Sequence, residues 1–400
     1  MEKASFTEGE RLFAPLESRA RVRALPSSKI REIANEGFGK SDLLRFWFGE
    51  SDQPTPDYIK KAAIEAINAN QTFYTHNSGR AELRASLASY LSDLHARPFA
   101  PENISITSSG VSALNIAMQT ILEPGDRVVI VTPIWPNVAE IPRILNAQVV
   151  RVGLTAQGGH WHLDIQQLLD AITPQTRMVV INSPSNPTGW TIPAQDRIVI
   201  LDRCRRFGVW LLLDDVYERL VFDPELASAP SFLVIADRED RIIAANSFSK
   251  AWLMTGWRLG WLVAPAQLEA DLGKIIEFNT SCAPDFVQLA GLAAIEQGEA
   301  HVSALRQGLK DKRDLLARRL GALKGVTAPA PDGGMYLFFK IEGHDDSVAL
   351  SKRLISEARL GLAPGAAFGP EGEGWLRWCF AADTAALNQG VEHLQLWLGQ

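Results

Sequence analysis

From about Asn103 to Ala264, short runs of aliphatic and β-branched residues alternate with longer stretches that repeat apolar residues at helical spacing. The short runs are Ile104 to Thr107, Arg127 to Val131, Val149 to Val152, Met178 to Asn182, Trp210 to Asp214, Ile242 to Asn246 and Leu259 to Val263. Because these runs are unbroken rather than alternating, they suit strands covered on both faces. The intervening stretches Ser112 to Leu122, Val138 to Leu145, Ile165 to Ala171 and Pro193 to Phe207 predict helices, the last with proline at an allowed first-turn position. Alternation of this kind predicts a mostly parallel α/β sheet flanked by helices.

After about Asp285 the texture changes. Long helical stretches, Phe286 to Gln297 and Val302 to Leu323, precede a turn at Pro329 to Gly334 and short strands around Tyr336 to Ile341 and Leu376 to Phe380. The expected organisation is a large domain over 51–285, a smaller α+β domain over 286–400, and an N-terminal segment, 1–50, that packs with the small domain. Helical spacing over Arg21 to Asn35 predicts one helix in that segment, which is too short to fold alone.

Composition narrows the function classes. With 40 Lys+Arg against 46 Asp+Glu and a net charge of −6, the 400-residue chain lacks the basic footprint of a nucleic-acid binder. Its apolar runs fall far short of the roughly 18 residues that span a bilayer. The first twenty residues mix Glu2, Lys3, Glu8, Glu10 and Arg11 among apolar ones, unlike an export signal. Cys204, Cys282 and Cys379 are scattered and form no CxxC pair, which fits neither a disulfide framework nor a cysteine-rich zinc site. A cytoplasmic protein without membrane or nucleic-acid partners is expected.

In α/β sheets chemistry collects beyond the carboxyl ends of the strands. The first strand runs through Thr107-Ser108-Ser109-Gly110 into a helix, a small-residue turn whose free N–H groups and helix dipole suit a phosphate or simple capping. The strand ending at Asn182 opens into "NSPSNPTG", a turn-forming run with two amides. Trp210 to Leu213 ends in Asp214-Asp215-Val216-Tyr217, a carboxylate where an apolar strand emerges, costly to bury unless a cation sits opposite. Directly after Ile242 to Asn246 comes "SFSKAWLMTGWRLGW", with Lys250 eight residues before Arg258. Lys250 is a candidate Schiff-base amine and Arg258 a candidate fork onto phosphate. Two other constellations fail: His160-x-His162, expected in a Gly-rich loop, has no third ligand, and "GPEGEG" at Gly369 to Gly374 carries acids that repel phosphate.

An amine to condense with an aldehyde, a carboxylate to hold a ring nitrogen protonated and a phosphate cup together describe pyridoxal 5'-phosphate. The chain resembles the class I/II aminotransferases, of fold type I among pyridoxal-phosphate enzymes. The resemblance runs from about Arg21 to the C-terminus on "NPTG", "DDVY", "SFSK", "GWRLG" and "LRWCFA", in family order. It implies that Lys250 condenses with the cofactor aldehyde and that Asp214 partners its ring nitrogen. By the same resemblance Tyr217 and Asn186 hydrogen-bond its phenolic oxygen, and Trp135 of "TPIWPN" stacks on the ring. Gly110, Val111, Ser112, Ser247 and Arg258 would hold the phosphate, joined by Tyr74 of "FYTHNSGRAELR" from a neighbouring subunit, which makes the active unit a homodimer. Arg377 would grip the substrate α-carboxylate, with Gly49 and Asn186 lining the same pocket.

The implied activity is transfer of an amino group from an L-amino acid to a 2-oxo acid, without metal. A pyridoxal-phosphate lyase or elimination enzyme would share every cofactor residue and is the alternative. A regulator built on the same body would need a basic DNA-binding module, for which the residues before Gly49 leave no room. Gly333-Gly334-Met335-Tyr336 and Trp378 depart from the family pattern on the expected substrate side, and Trp47 and Trp378 suggest an apolar or aromatic side-chain pocket.

Overall fold

A computed structural model describes residues 16–400; the charged positions of the first eleven residues lie outside the described residues. Eight strands form the main sheet, in the spatial order Ile104–Thr107, Gly260–Val263, Ile242–Ser247, Trp210–Asp214, Thr176–Asn182, Arg127–Thr132, Gln148–Gln157 and His160–Leu163. The five strands from Ile242–Ser247 to Gln148–Gln157 pair in parallel. Gly260–Val263 runs antiparallel to both neighbours, as does His160–Leu163 to its one partner. Helices Gly110–Ile121, Pro136–Ile144, Ile165–Ala171 and Ala194–Phe207 join the strands, as the alternation predicts. Two apolar clusters result: Val128, Ile130, Val180 and Leu212 pack under Gly110–Ile121, while Val129, Val179, Leu211 and Leu213 on the other face belong to the larger core. Adjacent strand residues thus feed opposite layers, the reason the runs read as unbroken apolar.

Register places the chemistry. Asn182 pairs with Asp214 and Asp214 with Ala245, while Gly260 lies between Thr107 and Ser247. The ends of four strands are therefore level at one edge of the sheet.

A second, antiparallel sheet has the order Val326–Thr327, Tyr336–Ile341, Trp375–Cys379, Ala363–Pro364. Leu44–Arg45 pairs with Leu360–Gly361, and the Lys29–Gly37 helix packs on the Ser347–Glu357 helix, tying the N-terminal segment to this smaller body.

Three expectations need correction. Arg21 to Asn35 is two helices, Ala20–Arg23 and Lys29–Gly37, because Pro26 has no N–H and bars its predecessor from helical backbone. His160 and His162 sit in an edge strand that forms a hairpin with Gln148–Gln157 through Gly158 and Gly159, both at positive φ, rather than in a loop. Asp285–Gln297, expected to open the small domain, packs on Asp57–Asn68 and Ala81–His95, and Arg80 Nη1 bonds Asp285 Oδ1 at 2.6 Å. Those last two helices, unassigned from sequence, flank the turn that carries Tyr74.

Candidate active site

A cavity of about 450 Å³ opens at the carboxyl edge of the main sheet. Gly49, Gly110, Val111, Trp135, Asn186, Asp214, Tyr217, Ser247, Lys250, Arg258 and Arg377 all line it. They come from segments as far apart as residues 49 and 377, gathered by the level strand ends and by the small sheet closing over them. A larger cavity of about 510 Å³ adjoins it through Ser28 and Asn137 but holds none of the titrating groups described below.

Lys250 follows the Ile242–Ser247 strand and is pinned by donating to the Gly49 carbonyl. Burial lowers its pKa to about 8 from 10.5, with the Arg377 and Arg258 charges acting in the same direction and Cys379 and Glu50 opposing. Near neutral pH it therefore holds a proton it can release. Asp214, 6% exposed, is the reverse case. Burial raises its pKa to about 7 from 3.8, opposed by the Val216 backbone N–H and by Lys250. No guanidinium or ammonium bonds its carboxylate among the described residues, so the site supplies a buried anion that lacks a contacting cation. Asn182 fixes both neighbouring loops, donating from Nδ2 to the Asp214 carbonyl at 2.7 Å and accepting the Asn186 N–H on Oδ1 at 2.7 Å.

At the phosphate-compatible end, Ser109 Oγ caps the Gly110–Ile121 helix by accepting the Ser112 N–H at 3.1 Å. The Ser112 hydroxyl, next along the helix from the cavity-lining Gly110 and Val111 but not itself in the lining, is buried without a partner. Gly110 is required by packing, since a Cβ there would stand 2.9 Å from Ser247 Cβ. Ser247 Oγ contacts Ser249 Oγ at 2.9 Å, and Arg258, held at a φ of 52°, donates to the Thr255 carbonyl at 2.7 Å. A left-handed arginine beside the site is backbone strain of about 1 kcal/mol or more, offset by the surrounding fold. An orphan hydroxyl, a helix N-terminus and a nearby guanidinium are a donor set that fits a phosphate.

Arg377, 2% exposed, lies between Asn186 Oδ1, which it reaches at 2.9 Å, and the Trp47 carbonyl. Its guanidinium stacks 4.3 Å above the Tyr336 ring, its Nε is buried and unpartnered, and no carboxylate pairs with it among the described residues. A buried cation with a free N–H is suited to a ligand carboxylate.

Tyr336 is the residue that sequence reasoning passed over. Its hydroxyl stands 2.7 Å from that of Tyr217, and Gly49 is glycine because any Cβ there would collide with that hydroxyl. The only sequence signal was its place in the Gly333 to Tyr336 turn. Trp47 and Trp378, expected beside the substrate, are core residues instead. Trp378 packs on Phe46 at 5.0 Å and Phe339 at 6.2 Å, and the Trp47 ring fills the space over Gly37 and Gly361. Tyr74 does not line the cavity of its own chain and is 89% exposed.

The profile of the family described as "Aminotransferase class I and II" matches residues 41–394. The chain belongs to the class I and II aminotransferases. Among curated relatives, an aspartate aminotransferase of Pyrococcus horikoshii is 32% identical over 94% of this chain and 95% of its own. A probable N-acetyl-LL-diaminopimelate aminotransferase of Bacillus subtilis is also 32% identical, over 94% of this chain and 95% of its own. The solved structure of an aspartate aminotransferase from Thermotoga maritima superposes with a TM-score of 0.89 at 28% identity, covering 96% of this chain and 100% of that one. These similarities support transamination and not the lyase or elimination alternative, and the fold class stands as expected. No helix among the described residues is long and apolar enough to cross a membrane.

Proposed function

We propose that this aminotransferase carries pyridoxal 5'-phosphate in the 450 Å³ cavity and moves amino groups from an L-amino acid to a 2-oxo acid there. The observation that carries the reading is the pairing of a buried amine with a lowered pKa and a buried carboxylate with a raised one, Lys250 and Asp214, in one cavity with an acid-free Arg377. When bound, the cofactor supplies an electron sink for charge developing at the substrate Cα.

Every other part falls to the chain. Lys250 Nζ is the amine that would hold the cofactor's aldehyde carbon and, once freed, would take and return the proton at the substrate Cα. Asp214 would hold the cofactor's ring nitrogen in its protonated form, supplying its buried carboxylate with the contacting cation it lacks. Tyr217 and Asn186, which line the cavity, would hydrogen-bond its phenolic oxygen, and Trp135 would supply an aromatic face against its ring. Gly110, Val111, Ser112, Ser247 and Arg258 would hold the phosphate. Arg377 binds the α-carboxylate, already oriented by Asn186, the Trp47 carbonyl and the Tyr336 ring.

The active unit is a homodimer in which Tyr74 reaches the partner's phosphate. In support, the turn around it is fastened by Thr75 to Gln288 at 2.9 Å and Asn77 to Gly273 at 3.1 Å, yet presents Phe73 and Tyr74 to solvent. Three unpaired cysteines favour a cytoplasmic setting. The test is a panel of amino donors added to the cofactor-loaded protein, following the bound cofactor's absorbance and the oxo acid released. Conversion by an amino donor with oxo acid in equal amount is expected; release of ammonia instead would overturn the reading.

A further inference from the structure

Two guanidiniums in the cavity are left once the cofactor's partners are assigned. Arg258 belongs with the phosphate, and Lys250 and Asp214 with the aldehyde and the ring. Arg377 is one remainder, at the buried end. Arg31 is the other.

Arg31 is the third residue of the Lys29–Gly37 helix, whose first turn is fixed when Ser28 Oγ accepts the Arg31 N–H at 3.3 Å. Ile30, Ile33 and Ala34 form the buried stripe of that helix, Arg31 stands at its exposed margin, and Glu32 is engaged elsewhere, with Lys352 at 2.6 Å. Arg31 and Phe48 both line the cavity, and the Arg31 Cζ stands 5.1 Å from the centroid of the Phe48 ring. Stacking of this kind holds a guanidinium plane while leaving its N–H edge to a ligand. No carboxylate lies within ion-pair distance of Arg31 among the described residues. The cavity thus has one buried, acid-free guanidinium, Arg377, and a second, exposed one, Arg31, in the same lining as the Lys250 amine.

We propose that Arg31 binds a second anionic group on the substrate, so that this site takes amino acids with an acidic side chain and the matching dicarboxylic oxo acids. The inference rests on the transaminase reading above. A neutral side chain would leave Arg31 against Phe48 with nothing to neutralise it. An acidic one exchanges its hydration for a charge-assisted pair beside an apolar ring, which is where discrimination arises.

The experiment uses the cofactor-loaded enzyme, wild type, Arg31→Gln and Arg31→Lys. It compares kcat/KM for aspartate and glutamate with that for alanine and phenylalanine, and separately the dissociation constants of succinate and butyrate read from the bound cofactor's absorbance. In Arg31→Gln the ratio of acidic to neutral donors falls by about tenfold or more, chiefly through KM, and succinate loses affinity by a similar factor while butyrate does not. Arg31→Lys recovers part of both, since charge is kept and the planar fork is lost. An equal loss for acidic and neutral donors would overturn the proposal, reducing Arg31 to a support of its helix, and so would unchanged succinate binding. If no donor converts the wild-type cofactor, the transaminase reading fails, and the succinate comparison still decides whether Arg31 holds a second carboxylate.

Discussion

The hydroxyl of Tyr217 lies 2.7 Å from that of Tyr336, with the two rings edge to face at 81° and centroids 5.6 Å apart. Burial and the neighbouring phenol hold Tyr217 well above the ordinary tyrosine pKa, and burial pushes Tyr336 up to about 12, so both keep their protons at neutral pH. Tyr336 also carries Arg377 on its face. One side chain thereby positions both a group assigned to the cofactor and a group assigned to the substrate.

Tyr336→Phe keeps the ring under Arg377 but leaves the Tyr217 hydroxyl short of a partner. Thermal unfolding of the cofactor-free protein should show a loss of about 1 to 2 kcal/mol. If Tyr217 takes its replacement partner from the cofactor, the loss shrinks in the loaded enzyme; an equal loss in both forms would separate Tyr217 from the cofactor.

Lys250→Ala removes the amine and should cut turnover by about a thousandfold or more while phosphate and ring contacts still hold cofactor. Borohydride reduction of the loaded wild type, followed by peptide mapping, should place the label on Lys250 and on no other lysine. In the cofactor-free protein, modification of Lys250 by an amine reagent should rise with pH around a midpoint near 8, not near 10.5.

Asp214 gives a pH dependence of definite sign. Its folded pKa, about 7, lies above the ordinary 3.8, so its contribution to stability is fully present below the unfolded value and is lost as pH rises through about 7. The cofactor-free wild type should therefore lose melting temperature relative to Asp214→Asn between about pH 5 and about pH 8. With cofactor bound, the same substitution should lower turnover at least about a hundredfold because the electron sink weakens. Near-normal turnover with full occupancy would remove Asp214 from the mechanism.

Arg377→Ala should raise KM for every amino donor by about tenfold or more, since the α-carboxylate is their shared handle. A loss confined to donors with acidic side chains would make Arg377 a side-chain selector and would exchange its role with that proposed for Arg31.

Tyr74 tests the shared site. Subunits inactivated by Lys250→Ala, mixed with subunits carrying a bulky charged residue at Tyr74, should regain activity, because one site of the mixed dimer combines native Lys250 with the partner's native Tyr74. Absence of recovery after confirmed subunit exchange, or full activity in a monomer, would count against it.

By itself the sequence determined the α/β architecture and the motifs at its strand ends. Strands covered on both faces must be apolar throughout, and a residue's place at a strand end follows from where the apolar run stops; both are local facts. Lys250, Asp214, Asn186 and Arg258 were legible because polar groups in small-residue turns after buried strands stand out against their neighbours. Arg377 was assigned from its motif, but the tertiary structure alone decided that Tyr336 lines the cavity and that Trp47 and Trp378 do not. Arg377 and Trp378 are adjacent on the strand Trp375–Cys379, whose central residues are all buried, and pleating sends them to opposite sides, one onto Asn186 and the other onto Phe46. When both faces of a strand are buried, apolar pattern carries no information about which face meets the site. The contacts that complete it, Tyr336 on Tyr217, Lys250 on Gly49 and Arg31 beside Phe48, join separate elements, and only the packing of the small body and the N-terminal helix against the main sheet brings them into one cavity.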